Sequence, residues 1–522
     1  MFLCSPFARA WARGWGEGKN DQLTLPDAND TFRSVIFGGA MRAEVAQIVI
    51  IGGGIAGLST AWYVQKAAHE RGKSVQITVI ERDIRLGGKL LTEMVPLPDA
   101  AEPLLVEGGP DAFISQKPWG LQLARELGLD DQLISTQPAR HKVYVLHNGV
   151  PEPLPDGVNL VVPTQFWPFV RSPLLSWRGK LRMALDLVLP ARRDPADETL
   201  ASFIKRRFGA EALDKIAEPL MAGIHNAESA RQSLAATFPR FRDLEQKHGS
   251  LIRGMRAARP KNAPANQTLS PFVSLRGGIQ TLVDSLRSQL TADIRTGVSV
   301  VALDHNPTNT PAYRVTLDDG STLCADAVVL AVPSFVAADL LAPHQPNLAR
   351  GLRRIRYVST ATVTLAFRRA ETGLPLDSYG LVIPHSEHRR INAVTMLSRK
   401  WAHRAPADHI LLRAFVGGSK NPTVLQLDDA ALLQLVRDEL RTIFGISAEP
   451  TWSGIYRWPL ANPQYDVGHL DRVAALENLC PPGIYLCGSA YRGVGIPDCV
   501  RQGQETAEML MQFISTLLAE SA

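Results

Sequence analysis

Three closely spaced glycines after an apolar strand constrain this chain more than any other feature. Residues 47–57 read Gln-Ile-Val-Ile-Ile-Gly-Gly-Gly-Ile-Ala-Gly, and a helical pattern follows at once. Gly52 permits a tight turn, Gly54 lets the backbone approach a pyrophosphate, and Gly57 lets the helix lie close to the sheet. The free N–H groups at the start of the helix then bind phosphate. This context predicts a dinucleotide-binding unit rather than an ordinary glycine-rich turn.

The second strand of this unit indicates which dinucleotide is bound. A β-rich run from Val75 to Ile80 ends at Glu81. A carboxylate there is expected to accept hydrogen bonds from the adenosine ribose hydroxyls. An acid there disfavours a ribose 2′-phosphate, so NADP is not expected. The continuation Arg85-Leu-Gly-Gly-Lys89 resembles FAD-dependent oxidoreductases rather than simple dehydrogenases. The predicted FAD contacts in this part of the chain are Gly52, Gly53, Gly54, Ile55, Ala56, Gly57, Glu81, Arg82, Arg85, Gly87, Gly88 and Lys89.

Length and composition exclude several classes of protein. The 522 residues exceed what one hydrophobic core can organise and predict about three domains. A net charge of +5, without a zinc-finger spacing or an arginine-rich tract, does not indicate a nucleic-acid binder. The five cysteines form no CxxC pair, which favours a reducing, cytoplasmic compartment, and no metal site is expected.

The nucleotide-binding unit returns later in the chain, which predicts an interleaved α/β architecture. Runs from Thr296 to Leu303 and from Ala325 to Val332 are typical of further strands, and Ile484 to Ser489 precedes a loop and a C-terminal helix. We expect a Rossmann-type FAD-binding domain, a helical insertion and a mixed α+β substrate domain. The FAD-binding domain is predicted to comprise residues 41–115, 265–335 and 470–522. The helical insertion is predicted at 116–240, and the substrate domain at 241–264 and 336–469.

Two segments allow more than one interpretation. Residues 1–40 carry Arg9 and Arg13 before any acid and weakly resemble a transit peptide, but Met41 could be the true start. We interpret them as a disordered extension or a mis-assigned start. A helix from Leu174 to Leu189 would place Trp177 and other apolar residues on one face beside basic ones, which suits either the protein core or peripheral contact with a membrane.

Short stretches along almost the whole chain resemble the protoporphyrinogen/coproporphyrinogen oxidase family of the amine-oxidase superfamily. Residues 107–113 read Glu-Gly-Gly-Pro-Asp-Ala-Phe, 463–469 read Pro-Gln-Tyr-Asp-Val-Gly-His, and 493–499 read Gly-Val-Gly-Ile-Pro-Asp-Cys. The similarity extends from Gln47 to Met511. Further matching stretches lie at 218–224, 237–239, 249–255 and 274–280, together with Trp458.

The resemblance implies a reaction in haem biosynthesis, namely oxidation of a porphyrinogen to the porphyrin by molecular oxygen with release of hydrogen peroxide. FAD would carry the electron transfer, so no nucleophile or triad is expected. Coproporphyrinogen III is the favoured substrate and protoporphyrinogen IX the next, because Val143, with Lys142 before it, stands where some mitochondrial-type members have arginine. Two alternatives stay open: another flavin oxidase or desaturase of the superfamily, and a non-catalytic flavoprotein scaffold for haem-pathway enzymes.

The same resemblance places further residues at FAD. Residues 109–112 would lie near the isoalloxazine and Val298 against adenine. Ser489 and residues 494–496 would lie beneath the pyrimidine edge. The helix after Ile496 would point its positive end at the negative charge of reduced flavin. The additional predicted contacts are Gly109, Pro110, Asp111, Ala112, Val298, Trp458, Ser489, Val494, Gly495 and Ile496.

Two residues are candidates for acting on the substrate. Asp111 would polarise a pyrrole N–H, although a carboxylate after Pro110 can equally well cap a turn. Substrate propionates are anionic and require basic groups at an apolar pocket, so Lys142 is the predicted propionate partner. The alternative for Lys142 is an ordinary solvated lysine.

Overall fold

The computed structural model describes residues 45–137, 143–222, 226–258, 269–306, 311–374 and 378–519. The predictions for residues 1–40 and for Lys142 lie outside this range, as does the Gly223-Ile224 part of one family stretch.

A five-stranded parallel sheet carries the dinucleotide-binding unit. Its strands come from separate parts of the chain, and the central one, Ala46–Ile51, pairs with Val75–Glu81 on one side and Ala327–Leu330 on the other. Ala46–Ile51 and Ala327–Leu330 are almost wholly apolar because the sheet is covered on both faces. The predicted Rossmann-type α/β fold is confirmed. In spatial order the strands are Asp293–Thr296, Val75–Glu81, Ala46–Ile51, Ala327–Leu330 and Ile484–Leu486.

Helices cover one face of this sheet, and further helices together with a small antiparallel sheet cover the other. Ile55–Glu70, Gln280–Gln289 and the C-terminal helix Ile496–Ala519 bury Leu58, Leu282 and Leu510 in one core cluster with the sheet. The opposite face contacts helices Ser334–Leu341 and Pro346–Leu352 and the antiparallel strands Val300–His305, Tyr313–Leu317 and Thr322–Ala325.

One predicted strand was wrong in its boundaries. The run from Thr296 to Leu303 was expected to return to the parallel sheet, but the strand that does so is Asp293–Thr296, and Val300–His305 enters the antiparallel sheet instead. Gly297 separates the two because its backbone has a φ of +71°, a left-handed conformation that ends a strand.

A seven-stranded sheet forms the second layer, in which Gly380–Val382 and Val143–His147 pair parallel and the other neighbours antiparallel. Helix Asp429–Phe444 packs on one face through Leu432, Val436 and Leu440. Two of its strands come from the segment expected to be helical. In order the strands are Trp452–Pro463, Tyr357–Arg368, His409–Gly417, Ala393–Met396, Gly380–Val382, Val143–His147 and Val150–Pro153.

The helical insertion is organised around a buried arginine. Arg207 is fully buried and donates to Asp186, which also accepts from Ser250 Oγ at 2.6 Å. Its helices are Phe166–Arg171, Trp177–Ala184, Leu200–Phe208, Ala210–Ala212, the π-helical Leu213–Ala222, Leu234–Thr237, Pro239–His248 and Leu251–Ala257.

The helix expected over Leu174 to Leu189 is shorter than predicted. It spans Trp177–Ala184, because Ser176 caps its start by accepting from Gly179 N at 3.0 Å, and a 3₁₀ turn Leu185–Leu187 follows. Asp186 within that turn is held by Arg207, which explains the change of direction.

The remaining elements are short connections. The paired strands are Thr92–Val95 with Leu104–Glu107, Val158–Asn159 with Val162–Pro163, and Phe272–Leu275 with both Phe113–Ile114 and Leu133–Ser135. The helices are Pro118–Glu126, Arg369–Thr372, Leu397–Lys400 and His469–Asn478, and the 3₁₀ turns are Asp130–Gln132, His385–Glu387 and Pro422–Gln426.

Candidate functional site

The glycine turn has the geometry that a pyrophosphate requires. A Cβ atom at Gly57 would lie 2.0 Å from the Gly52 carbonyl oxygen, so only glycine lets the helix approach the turn. At Gly54, by contrast, an added Cβ would meet no atom within 4 Å, so this glycine faces open space. The helix Ile55–Glu70 has neither an acid in its first turn nor a side-chain cap. Its first N–H groups are therefore available to an anion at this end of the sheet.

Glu81 lies at the turn, as predicted. Its Oε2 accepts from Gly53 N at 2.7 Å and its Oε1 from Asp83 N at 3.0 Å, which leaves lone pairs on both oxygens for hydroxyl donors. Val298 adjoins it, since Val298 N donates to the Glu81 carbonyl at 3.2 Å. The side chain of Arg82, also a predicted FAD contact, does not join these residues, because it is 72% exposed and lies 3.7 Å from Asp83.

The segment from Arg85 to Lys89 lies against the glycine turn. Gly87 N donates to the Gly53 carbonyl at 2.8 Å. The Arg85 guanidinium folds back onto its own segment and donates to the carbonyls of Leu86, Gly88 and Leu90, so it braces this turn. Lys89 donates to the Ala461 carbonyl, and burial lowers the pKa of its ammonium group below the ordinary value.

The segment 107–112 lies between the two sheets. A Cβ atom at Gly109 would lie 1.9 Å from the Lys89 carbonyl oxygen, so the two backbones are in contact. The neighbouring Gly108 carbonyl accepts from Trp458 Nε1 at 2.9 Å and from Thr362 Oγ1 at 3.1 Å. One face of the seven-stranded sheet therefore rests on this segment. Gly109 and Pro110 stay half-buried at the junction, whereas Ala112 is fully buried.

Asp111 is the centre of a buried charge cluster. Its Oδ2 accepts from Lys400 Nζ at 2.7 Å and from Trp401 Nε1 at 2.8 Å, and its Oδ1 lies 2.9 Å from Arg413 Nη2. Burial alone would raise the pKa of Asp111, but Lys400 and Arg413 hold it well below its usual range. Arg413 also donates to the carbonyls of residues 107 and 109, at 3.1 and 2.9 Å.

A second acid of the cluster has a different environment. Glu107 is fully buried and accepts from Thr92 Oγ1 at 2.7 Å and from Ile279 N at 3.0 Å, while Arg404 lies 3.9 Å away. Burial raises the pKa of Glu107 to about 7, because these partners offset only part of the lost hydration. In the sequence, acids at 107 and 111 within an apolar run indicate that basic side chains are buried beside them. They do not identify those basic residues.

Tyr465 and His469 hold the loop that precedes the C-terminal helix. Tyr465 Oη donates to the Ser489 carbonyl at 2.7 Å and accepts from Gly493 N at 2.8 Å. The His469 ring stacks on Tyr465 at 3.9 Å between centroids, and His469 Nε2 lies 2.8 Å from the Tyr491 carbonyl. Since a carbonyl can only accept, His469 carries its proton on Nε2. We name residues 489–495 the clamped loop.

These parts form one continuous site. The clamped loop begins beside the helix that follows the glycine turn, since a Cβ atom at Gly488, the residue before the loop, would be 3.7 Å from that of Ala56. An open glycine cradle, an uncapped helix start, a ribose-type acid and two close backbone approaches fit FAD. The structure brings together all the predicted cofactor segments except the Arg82 side chain. Sequence reasoning did not single out Lys400, Trp401, Arg404, Arg413, Tyr465 or His469 as site residues.

Comparison with known proteins supports the same assignment. The family described as flavin containing amine oxidoreductase matches residues 55–511. The chain belongs to this family. The predicted family resemblance and FAD as the cofactor are thereby confirmed, and FAD supplies a two-electron acceptor that no side chain provides.

Several members of the family are similar over most of their length. A coproporphyrinogen III oxidase of Bacillus subtilis (strain 168) is 35% identical, with 90% of this chain and 98% of the relative covered. The chloroplastic protoporphyrinogen oxidase of Oryza sativa subsp. japonica is 28% identical, with 90% and 89% covered. A crystal structure of a candidate protoporphyrinogen oxidase from Exiguobacterium sp. 255-15 is 33% identical, with a TM-score of 0.78, 89% of this chain and 98% of that chain covered.

Burial of His469 predicts how the stability of this flavoprotein depends on pH. Burial, aided by Arg472 and Arg492, lowers the pKa of His469 from 6.5 to about 4, although the Tyr491 carbonyl and Asp466 oppose the shift. As pH falls from 6.5 toward 4, the unfolded chain therefore binds a proton at this histidine, and the folded chain does not. We expect this to remove about 3 kcal/mol of unfolding free energy across that window.

Urea titrations between pH 7 and pH 4 check this expectation. His469→Gln keeps a donor for the Tyr491 carbonyl but cannot titrate, so its stability should fall less steeply than that of the natural protein. His344→Gln, at a half-exposed histidine, is the matched control and should follow the natural protein. Parallel curves for the natural protein and His469→Gln would contradict the interpretation.

Proposed function

We propose that this flavoenzyme oxidises a porphyrinogen to the corresponding porphyrin, with coproporphyrinogen III preferred to protoporphyrinogen IX. The supporting observation is a glycine turn, an uncapped helix start and a buried acid that fit FAD, in a chain of which 90% aligns at 35% identity with a coproporphyrinogen III oxidase. Complete oxidation removes six hydrogens, and three molecules of oxygen become three of hydrogen peroxide. The product would serve haem biosynthesis.

We propose the following placement for FAD. The first-turn amides after Gly54 would bind the pyrophosphate, Glu81 the ribose hydroxyls and Val298 the adenine. Residues 109–112 and Trp458 would lie beside the isoalloxazine, and the clamped loop with Ile496 along its pyrimidine edge. In this arrangement Arg85 acts by bracing the turn rather than by touching phosphate, because its guanidinium is already bonded to three carbonyls.

We propose that Asp111 affects the reaction indirectly, by holding residues 109–112 in place. Its carboxylate is fully buried, accepts hydrogen bonds from Lys400 and Trp401 and forms an ion pair with Arg413, which in turn donates to the carbonyl of Gly109. This geometry favours a positioning role over direct polarisation of a pyrrole N–H. Lys142 stays the predicted propionate partner.

Asp111→Ala separates the two roles. The variant would leave Lys400 and Arg413 buried without a counter-charge, and losing one partner of a buried ion pair costs about 3–5 kcal/mol. We expect flavin retention, stability and turnover to fall together, measured by flavin release and urea unfolding. Asp339→Ala, which removes an exposed partner of Arg353, is the control and should change none of them. Lost turnover with flavin and stability intact would instead favour direct action on substrate.

The substrate is tested by comparing the two porphyrinogens under air. We expect kcat/KM to be at least about tenfold higher for coproporphyrinogen III, a difference of about 1.4 kcal/mol in transition-state binding. Peroxide should form in step with porphyrin fluorescence. A preference for protoporphyrinogen IX would reverse the substrate assignment, and oxidation of amines alone would favour another flavin oxidase. Bound flavin with no oxidation of any of these substrates would favour the scaffold.

We further propose that the helical insertion contacts a membrane surface. Helices Phe166–Arg171 and Trp177–Ala184 adjoin, since Lys180 Nζ donates to the Val170 carbonyl at 2.7 Å. Large apolar side chains protrude from this region beside exposed Arg171 and Arg178. No helix in the described part of the chain is long and apolar enough to cross a bilayer. The exposed apolar residues are Phe166, Trp167, Trp177, Leu181, Leu185 and Val188.

Vesicle flotation tests this contact. An apolar face with a basic rim should bind anionic vesicles more strongly than neutral ones, and salt should weaken the binding. We expect Leu181→Glu with Val188→Glu to lower the bound fraction at least about tenfold, since two apolar contacts become charges. Met509→Glu, at an exposed apolar residue of the C-terminal helix, should bind as the natural protein does. Equal binding by all variants, or none by the natural protein, would contradict the proposal.

A further inference from the structure

A buried ion pair lies at the start of the C-terminal helix. Lys117 Nζ is 2.6 Å from Asp498 Oδ1 and 2.7 Å from Oδ2, and the side chains are only 5% and 7% exposed. Lys117 directly precedes the helix Pro118–Glu126, and Asp498 belongs to the first turn of Ile496–Ala519. The sequence singled out neither residue as functional, and the FAD placement proposed above does not use them.

The Asp498 carboxylate is in contact with the clamped loop. A Cβ atom at Gly493 would lie 2.5 Å from Asp498 Cγ, and one at Gly495 would lie 3.0 Å from its Oδ2. Glycine at 493 therefore leaves the space that the carboxylate occupies, and a side chain at 495 would crowd it. The pair consequently lies directly behind the backbone that we propose to follow the pyrimidine edge of the flavin.

An acid at this place would work against flavin reduction if it were unpaired. A helix start carries partial positive charge and favours the negative charge that a reduced flavin develops at its pyrimidine end. A carboxylate in the first turn reduces that effect, and burial makes its influence stronger than it would be in water. Lys117 opposes this by holding an equal positive charge against both carboxylate oxygens.

We propose that Lys117 is a positioning residue that raises the reduction potential of the flavin by neutralising Asp498. The proposal rests on the placement of FAD given under the proposed function. It assigns the pair a role beyond stability, because the two single substitutions must then have opposite effects. Lys117→Met removes the positive charge and keeps the carboxylate near the ring, whereas Asp498→Asn removes the carboxylate and keeps the ammonium group.

The test is the two-electron midpoint potential of the bound flavin, measured by dye-coupled reduction of each holoenzyme. We expect Lys117→Met to lower it and Asp498→Asn to raise it, each by about 30 mV or more, which corresponds to a tenfold change in the reduction equilibrium. The double variant Lys117→Met with Asp498→Asn should return close to the natural value, and Lys117→Arg should keep it.

Lys66→Met is the matched control, because Lys66 pairs with Glu126 at the other end of the same helix, at 3.1 Å. Its potential should equal that of the natural protein. If Lys117→Met does not fold, Asp498→Asn and the double variant still decide the question. Shifts of the same sign in both single variants, or no shift in Asp498→Asn, would overturn the proposal. Because the potential is measured without porphyrinogen, failure of the proposed substrate would leave this result standing.

Discussion

The carboxylate of Asp111 attaches residues 107–112 to the seven-stranded sheet, and the position of that segment depends on this contact. Lys400 ends a short helix that precedes the strand His409–Gly417, and Arg413 lies within that strand. A buried ion pair is weak evidence for added stability, but its geometry is demanding, since each unsatisfied charge in the interior is costly. Arg413 uses that geometry to hold the carbonyls on either side of Gly108.

The clamped loop gives the site its second fixed side. Tyr465 and His469 belong to the segment that follows the strand Trp452–Pro463, so the second sheet also positions the loop before the C-terminal helix. That segment is in turn bonded to the helical insertion, because Ser233 N donates to the Tyr465 carbonyl at 2.8 Å. The parts of the chain that lie between the two ends of the FAD-binding unit therefore determine the shape of its cofactor site.

The sequence predicted best what is encoded locally. The glycine turn, Glu81 and the start of the helix at Ile55 follow from a strand, a turn and a helix that are adjacent in the chain. The partners of Asp111 could not be predicted, because Lys400 lies 289 residues away and meets it only through packing of the sheets. The sequence does contain a signal for the pairing of Arg413, because an arginine within an apolar central strand requires a buried acid as its partner. The boundary at Gly297 was missed because a single left-handed glycine ended a β-rich run.

We expect the bound flavin to accept electrons directly from a porphyrinogen. Anaerobic rapid mixing of the holoenzyme with coproporphyrinogen III tests it most directly, because oxygen chemistry is then absent. We predict that flavin absorbance bleaches in a single fast phase that depends on porphyrinogen concentration, and that it returns when air is admitted, with peroxide formed. A flavin that stays oxidised with coproporphyrinogen III and with protoporphyrinogen IX, yet is reduced by dithionite, would show that the protein does not oxidise porphyrinogens.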